Sequence, residues 1–279
     1  MTKRPAPCFV ERYRAPHPAL RDRVAIYATL TAREVSGPRP WRVLPEGRGH
    51  VLLHVYADGR EARLALVGPR SVYADIDRSG RRFTVIATLQ ADGIWTMFGL
   101  APAELVDRAI PLREVVGAAA DAIVERASAG ISAAAACAMF DRWLPCAARS
   151  RALGRPLGHR AKGHRAKGPR AAAVAAGRIE AADGRIGPRT LAAQLGVSDR
   201  YLRRVMVEEI GLGPKRLARI ARVRGALRAA VQGARPSRNW AALALDSGFA
   251  DQSHLVHEFR ALFGDAPQAF VARANREGV

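Results

Sequence analysis

The sequence predicts an α+β protein in which a small β-barrel or sandwich with helices precedes an all-α domain. Two observations lead to this prediction: short apolar segments recur about every ten residues in the first half, and a helical pattern is duplicated in the second half. A length of 279 residues suits about two domains. We therefore expect a β-rich domain at residues 1–152, a basic flexible linker at 153–169 and a helical domain at 170–279.

The β-rich prediction depends on short apolar segments that are separated by turn residues. The candidate strands are Trp41–Leu44, His50–Tyr56, Ala62–Val67, Ser71–Ile76, Phe83–Leu89 and Ile94–Phe98. Asp58–Gly59 and Asp92–Gly93 suit tight hairpin turns, because glycine tolerates positive φ. A short helix is expected at Pro102–Asp107, and the Ala-rich segment Ala118–Arg151 is expected to be helical.

The linker contains the pentad Gly-His-Arg-Ala-Lys twice, at residues 158–162 and 163–167. Its glycine content and charge favour a flexible tether. Two interpretations remain compatible: a solvated spacer, or an arm that binds phosphates regardless of base sequence. His159 and His164 are not expected to bind metal, since nothing else in the linker is a ligand.

The duplicated pattern lies between residues 191 and 270. Residues 202–217 correspond to 255–270 at an offset of 53, and residues 191–197 correspond to 243–249 at an offset of 52. The clearest pairs are Leu202 and Leu255, Met206 and Phe259, Ile210 and Phe263, Gly211 and Gly264, Pro214 and Pro267, and Leu217 and Phe270. Two copies indicate a duplicated module and not a solenoid.

Each copy has the sequence signals of a helix-turn-helix. In the first copy a short helix ends at Gly196, and Ser198 suits the N-cap of the next helix. Gly248 and Asp251 occupy the same places in the second copy. A long helix, Pro214–Gln232, is expected to separate the two modules, because proline is tolerated at the first helical position.

The second helix of each copy has a polar outward face. Arg200, Arg203 and Arg204 share one side of the first helix. Gln252, Ser253, Val256, His257 and Arg260 face outward on the second. In the major groove of DNA, arginine can bind guanine bidentately and glutamine can bind adenine. We therefore predict that the helices at about 198–210 and 251–263 enter adjacent major grooves; the alternative is two solvated charged faces.

The same region resembles the AraC/XylS family of bacterial transcription regulators, over about residues 170–275. The resemblance is carried by residues 191–227 and 240–270, and above all by GFADQSHLVHEFRALFGDAP at 248–267. It implies that Arg200, Arg203 and Arg204 form a first base-reading surface. It implies a second surface at Gln252, Ser253, His254, Val256 and His257. His257 stands where the family usually has arginine, which predicts a more pH-sensitive contact.

The first half resembles, over residues 44–56, 68–73 and 98–117, an uncharacterised domain that often precedes this DNA-binding module. In such regulators the N-terminal domain commonly senses a small molecule or mediates dimerisation. Two interpretations of the polar residues in this half remain open: a surface or interface role, or a polar-lined ligand pocket that uses His50, His54, Tyr56, Tyr73 and Trp95. A metal site is not expected, because the four strand residues from His50 to His54 span about 13 Å.

Charge and composition agree with a DNA partner. The net charge is +20, and residues 151–279 hold 24 basic and 10 acidic residues against 21 and 15 in residues 1–150. The excess in the second half is expected where a protein meets a phosphate backbone. An apolar fraction of 49% excludes wholesale disorder. No apolar run of about 18 residues, no secretory signal and no CxxC pair is present, so we expect a soluble cytoplasmic protein.

The leading functional prediction is a sequence-specific transcription regulator, gated by its N-terminal domain, with no enzymatic activity and no cofactor. Expected partners are double-stranded DNA, a small-molecule effector, a second copy of the chain and, for an activator, RNA polymerase. One alternative is a non-specific nucleoid or RNA-binding protein. Another is a DNA-repair alkyltransferase, but Pro145–Cys146–Ala147 lacks the histidine that a Pro-Cys-His nucleophile needs.

Overall fold

The protein is described by a computed structural model that covers residues 9–32, 40–150, 171–232 and 239–277. The tandem basic pentads of the predicted linker lie outside these ranges. Within the described residues, strands fill the first part of the chain and helices the second.

Eight strands build the N-terminal part where the structure describes it, at residues 9–32 and 40–150. They are β1 (Phe9–Arg14), β2 (Val24–Ala32), β3 (Pro40–Val43), β4 (His50–Tyr56), β5 (Arg63–Val67), β6 (Ala74–Asp77), β7 (Arg81–Leu89) and β8 (Ala109–Pro111). Six of them form one antiparallel sheet in the order β1-β2-β7-β4-β5-β8, and β3 pairs with β6 in a separate ribbon. Among the described residues β1 and β8 remain at opposite edges, so the sheet is sandwich-like and does not close into a barrel.

One face of the large sheet carries the N-terminal core. Val51, Leu53 and Val55 alternate along β4 and are buried, because successive side chains of a strand point to opposite faces. Three helices follow the sheet: α1 (Arg113–Val116), α2 (Asp121–Ser128) and α3 (Ala133–Ser150). Helices α2 and α3 contact the sheet. The ring of Phe140 in α3 packs against the ring of Tyr27 in β2, with 6.3 Å between the two ring centroids.

The sequence prediction for residues 92–98 is wrong. The predicted strand Ile94–Phe98 is a helical turn, because Gly93 has φ −63° and begins a helix where a hairpin was expected. Ile94, Met97 and Phe98 are buried at helical spacing, which burial of an alternating strand would not produce. The segment Ala118–Arg151 is helical over α2 and α3, as expected, and Gly130 adopts φ +97° between these two helices.

In the described ranges 171–232 and 239–277, seven helices form the C-terminal part. They are α4 (Ala171–Ala181), α5 (Pro188–Gln194), α6 (Asp199–Ile210), α7 (Pro214–Gln232), α8 (Trp240–Asp246), α9 (Gln252–Phe263) and α10 (Pro267–Glu277). Their apolar core is separate from that of the sheet, but Leu44, Ala91 and Val106 of the N-terminal part pack against it. No helix in the described ranges is long and apolar enough to span a membrane.

Candidate nucleic-acid interface

The first helix-turn-helix consists of α5 and α6. Gly196 adopts φ +66° in the turn between them, a conformation that few residues other than glycine adopt readily. Ser198 caps α6, since its hydroxyl accepts a hydrogen bond from the amide of Tyr201 at 3.2 Å. Leu202 and Met206 are fully buried on the inner face of α6. The predicted turn and cap are therefore confirmed in this module.

The second module repeats this plan with α8 and α9. Asn239 caps α8 through a 2.9 Å bond from the amide of Ala242, and Gly248 has φ +79° in the turn. Asp251 caps α9 by accepting from the amide of His254 at 2.8 Å. The 52–53-residue repeat in the sequence thus corresponds to two copies of one three-dimensional module.

Three arginines are exposed on the outward face of α6. Arg204 forms an ion pair with Glu208 at 3.3 Å and lies 5.3 Å from the centre of the Tyr201 ring. Arg200 and Arg203 have no ionic partner within the described residues. Because a surface ion pair contributes at most about 1 kcal/mol, all three guanidinium groups remain available for a polyanion.

The outward face of α9 is polar but carries less charge. Gln252, Ser253, His254 and His257 are exposed, and Val256 is half-buried. Nδ1 of His254 accepts a bond from the amide of Ala250 at 3.3 Å, and its ring meets Phe249 edge-on at 5.5 Å. His254 is therefore held in place. All predicted residues of the second surface lie in the first half of α9.

The long helix α7 connects the modules and has 19 residues. At about 1.5 Å per residue this corresponds to roughly 28 Å, comparable with the ~34 Å of one turn of DNA. The helix begins at Pro214 and ends at Gln232, as predicted. Its length therefore suits two recognition helices that enter successive major grooves.

Sequence reasoning missed a basic groove of about 370 Å³ between the modules. Its polar lining consists of Arg185, Lys215, Arg219, Arg222, His254 and Glu258. The three α7 residues among them are spaced at i, i+4 and i+7, so the helical spacing of basic residues in the sequence could have indicated a common face. His254 belongs both to this groove and to the outward face of α9.

The N-terminal part contacts the C-terminal ends of α6 and α9. Gly211 ends α6 with φ +86°, and a Cβ atom there would lie 2.9 Å from the carbonyl carbon of Pro102. Gly264 ends α9 with φ +82°, and a Cβ atom there would lie 2.7 Å from Cζ of Tyr73. These two glycines are equivalent in the repeat, so the N-terminal part covers the same position in both modules.

Arg42 of β3 is the main polar link to the second module. Its Nη1 donates to the carbonyl oxygen of Phe263 at 3.2 Å and to Asp265 at 3.0 Å. Two 2.7 Å bonds to Asp75 hold the guanidinium from the other side and raise its pKa. The amide of Tyr73 donates to the carbonyl oxygen of Leu262 at 2.9 Å. These bonds satisfy carbonyl groups that the end of α9 would otherwise leave unpaired.

Further bonds join the N-terminal part to α4 and α7. Arg48 donates to Glu180 of α4 at 2.5 Å, Arg216 to Ser71 at 2.5 Å, and Arg224 to the carbonyl oxygen of Pro45 at 3.1 Å. A Cβ atom at Gly47 would lie 2.1 Å from Cδ1 of the buried Leu217, so the loop and α7 are in close contact. The contact between the two parts therefore combines ion pairs with close packing.

The predicted ligand set is only partly brought together. His50, His54 and Tyr56 share the half-buried face of β4, where His50 bonds Thr88 at 3.3 Å and His54 bonds Thr84 at 3.0 Å. Burial lowers the pKa of His50, and burial with nearby arginines lowers that of His54 to about 3. Both rings are therefore neutral near pH 7. Tyr73 instead packs on Arg42, and Trp95 lies in the helical turn Ile94–Phe98.

Comparison with known families agrees with this arrangement. Residues 191–273 match a family described as a helix-turn-helix domain, and residues 12–111 match a domain of unknown function, DUF6597. No curated protein matches the chain.

Several solved structures are similar to this chain, among them the following three. A probable AraC family transcriptional regulator from Rhodopseudomonas palustris CGA009 is 29% identical, has a TM-score of 0.34 and covers 38% of this chain and 98% of its own. The C-terminal domain of AraT, a response regulator from Geobacillus stearothermophilus, is 20% identical, with a TM-score of 0.33 and coverages of 37% and 84%. ToxT from Vibrio cholerae O395 is 11% identical, with a TM-score of 0.45 and coverages of 98% and 99%.

Proposed function

We propose that the chain is a transcription regulator that reads a specific DNA sequence through α6 and α9. A helix-turn-helix domain that follows a DUF6597 domain supports a DNA-binding role. The observation that carries this proposal is the repetition of one capped helix-turn-helix, each copy with an exposed polar face on its second helix. In this proposal α6 uses Arg200, Arg203 and Arg204 on one major groove. The second groove is read by Gln252, Ser253, His254, Val256 and His257 of α9.

Selection from random DNA tests this proposal. The full-length protein is incubated with a library of random duplexes, and the bound sequences are amplified and read over several rounds. We expect enrichment of one site whose two halves are about 10 base pairs apart. Footprinting of that site is expected to show protection in two adjacent major grooves on one side of the duplex. Uniform protection without enrichment would instead favour a non-specific nucleic-acid-binding protein, the role that charge alone would support.

The N-terminal domain gates DNA binding, in this proposal, by fixing the relative orientation of the two modules. Its contacts at Gly211 and Gly264 lie at the ends of the recognition helices, and the outward faces of α6 and α9 remain exposed. Gating therefore acts on the angle and separation of the helices and not by covering them. A small-molecule effector that shifts β3 and β6 would move Arg42, and with it the second module.

A further inference from the structure

The basic groove between the modules carries charges that weaken its own helix. Lys215, Arg219 and Arg222 lie on one side of α7, at the spacing where like charges repel. Lys215 also lies in the first turn of α7, where the helix dipole disfavours a positive charge. No acidic residue lies in that turn. Such a cluster lowers the stability of the helix unless a negative partner compensates for it.

Contacts within the protein account for two of these three charges. Arg222 donates to the carbonyl oxygen of Gly184 at 2.9 Å, and Arg219 forms an ion pair with Glu258 of α9. Lys215 is exposed and has no partner among the described residues. The ion pair also neutralises the one acidic side chain of the groove, which would otherwise repel an anion. The groove therefore retains one free ammonium group in a positive surrounding.

The position of the groove indicates which anion reaches it. It is lined by Gly187 and Pro188 of the first module and by Phe249 and His254 of the second, so it lies between the two modules that carry α6 and α9. When two helices occupy successive major grooves on one face of a duplex, the intervening sugar-phosphate backbone passes between them. His254 places one edge of the groove on the predicted reading surface.

We propose that this groove binds a phosphate of the DNA backbone midway between the two major-groove contacts, with Lys215 as the direct ligand. Arg219 is a positioning residue, because it neutralises Glu258 and holds α9 against α7. This inference rests on the proposed function. It adds a contact that fixes the register of the protein on DNA without reading a base.

Lys215→Gln, with Arg228→Gln as its matched control, tests the site in the full-length protein. Both variants remove one positive charge from α7. Arg228, however, pairs with Asp183 and lies outside the basic groove, in a second cavity of α7 that Gly47 also lines. Dissociation constants are measured for the selected duplex at several salt concentrations. We expect Lys215→Gln to weaken binding about tenfold and to lower the slope of log K against log salt concentration by about 1. Arg228→Gln is expected to keep the wild-type slope.

A duplex with one uncharged methylphosphonate at the central position identifies the phosphate. With wild-type protein this substitution is expected to cost about as much affinity as Lys215→Gln, and combining the two is expected to cost no more than either alone. Fully additive losses would overturn the phosphate site. Thermal unfolding of Lys215→Gln, expected to match or exceed wild type, separates a binding defect from misfolding. If Lys215→Gln keeps the wild-type salt slope while wild type still selects a site, only the phosphate site in the groove is refuted. If wild type fails to select any site, the proposed function is refuted as well.

Discussion

Arg203 lies in the middle of the exposed face of α6 and has no ionic partner among the described residues. If its guanidinium binds a guanine, Arg203→Ala should weaken binding to the selected site by about 1–3 kcal/mol and relax the base preference at one position. Arg203→Lys is the matched control, because lysine keeps the charge but loses the bidentate geometry. Binding assays on single-base variants of the site measure both effects. An equal loss on all sequences would make Arg203 a phosphate contact.

His54 gives a prediction about pH at the same scale. Its pKa falls from 6.5 to about 3 on folding, so the folded protein binds fewer protons than the unfolded chain. The contribution of His54 to the free energy of unfolding should therefore be fully present above pH 6.5 and decrease as the pH falls towards 3. At pH 5 the loss from this residue is expected to be up to about 2 kcal/mol. Urea unfolding of wild type and His54→Gln between pH 7 and 5 measures the difference. His257→Gln, at an exposed position, serves as the control; the same pH slope in wild type and His54→Gln would contradict the prediction.

At the scale of elements, the ends of α6 and α9 are the points where the N-terminal domain could control spacing. Arg42→Ala removes the bonds to Phe263 and Asp265. We expect wild type to prefer one distance between the half-sites, and Arg42→Ala to bind sites with one inserted base pair with nearly equal affinity. Arg14→Ala is the control, since Arg14 pairs with Asp141 inside the N-terminal part. If both variants keep the wild-type spacing preference, gating through this contact is wrong.

The two parts of the whole molecule have separate cores but close contacts, which predicts one cooperative unfolding transition in calorimetry. Gly47→Ala should divide it into two, because the new Cβ would overlap Leu217, which is buried and has little room to move. Gly59→Ala is the control. Gly59 has positive φ, but no atom lies within 4 Å of a Cβ atom placed there. Gly59→Ala should therefore lower stability only through local backbone strain, without disturbing the contact between the two parts. A single unshifted transition in Gly47→Ala would contradict close coupling of the two parts.

The two helix-turn-helix modules, with their caps at Ser198 and Asp251, and the helix α7 between them could be predicted from the sequence alone. Such features depend on residues within a few positions of one another, where helical periodicity and capping act. The same local signals failed at Ile94–Phe98, because a five-residue apolar segment fits a strand or a helical turn equally well. Strands β1, β2 and β8 were also missed; β2 and β8 pair with β7 and β5, which are distant in sequence.

How the two parts of the protein meet could not be predicted from the sequence and depends on long-range packing. Arg42 and Asp265 are separated by 223 positions, and Arg216 and Ser71 by 145, so no local pattern of residues predicts that they meet. Lys215 and His254 likewise come to one groove only after both modules have packed on α7. Helices form from short-range interactions, whereas the surface between them depends on which apolar faces pack together. The sequence thus predicted the helices that would read DNA, and the packing decided what positions them.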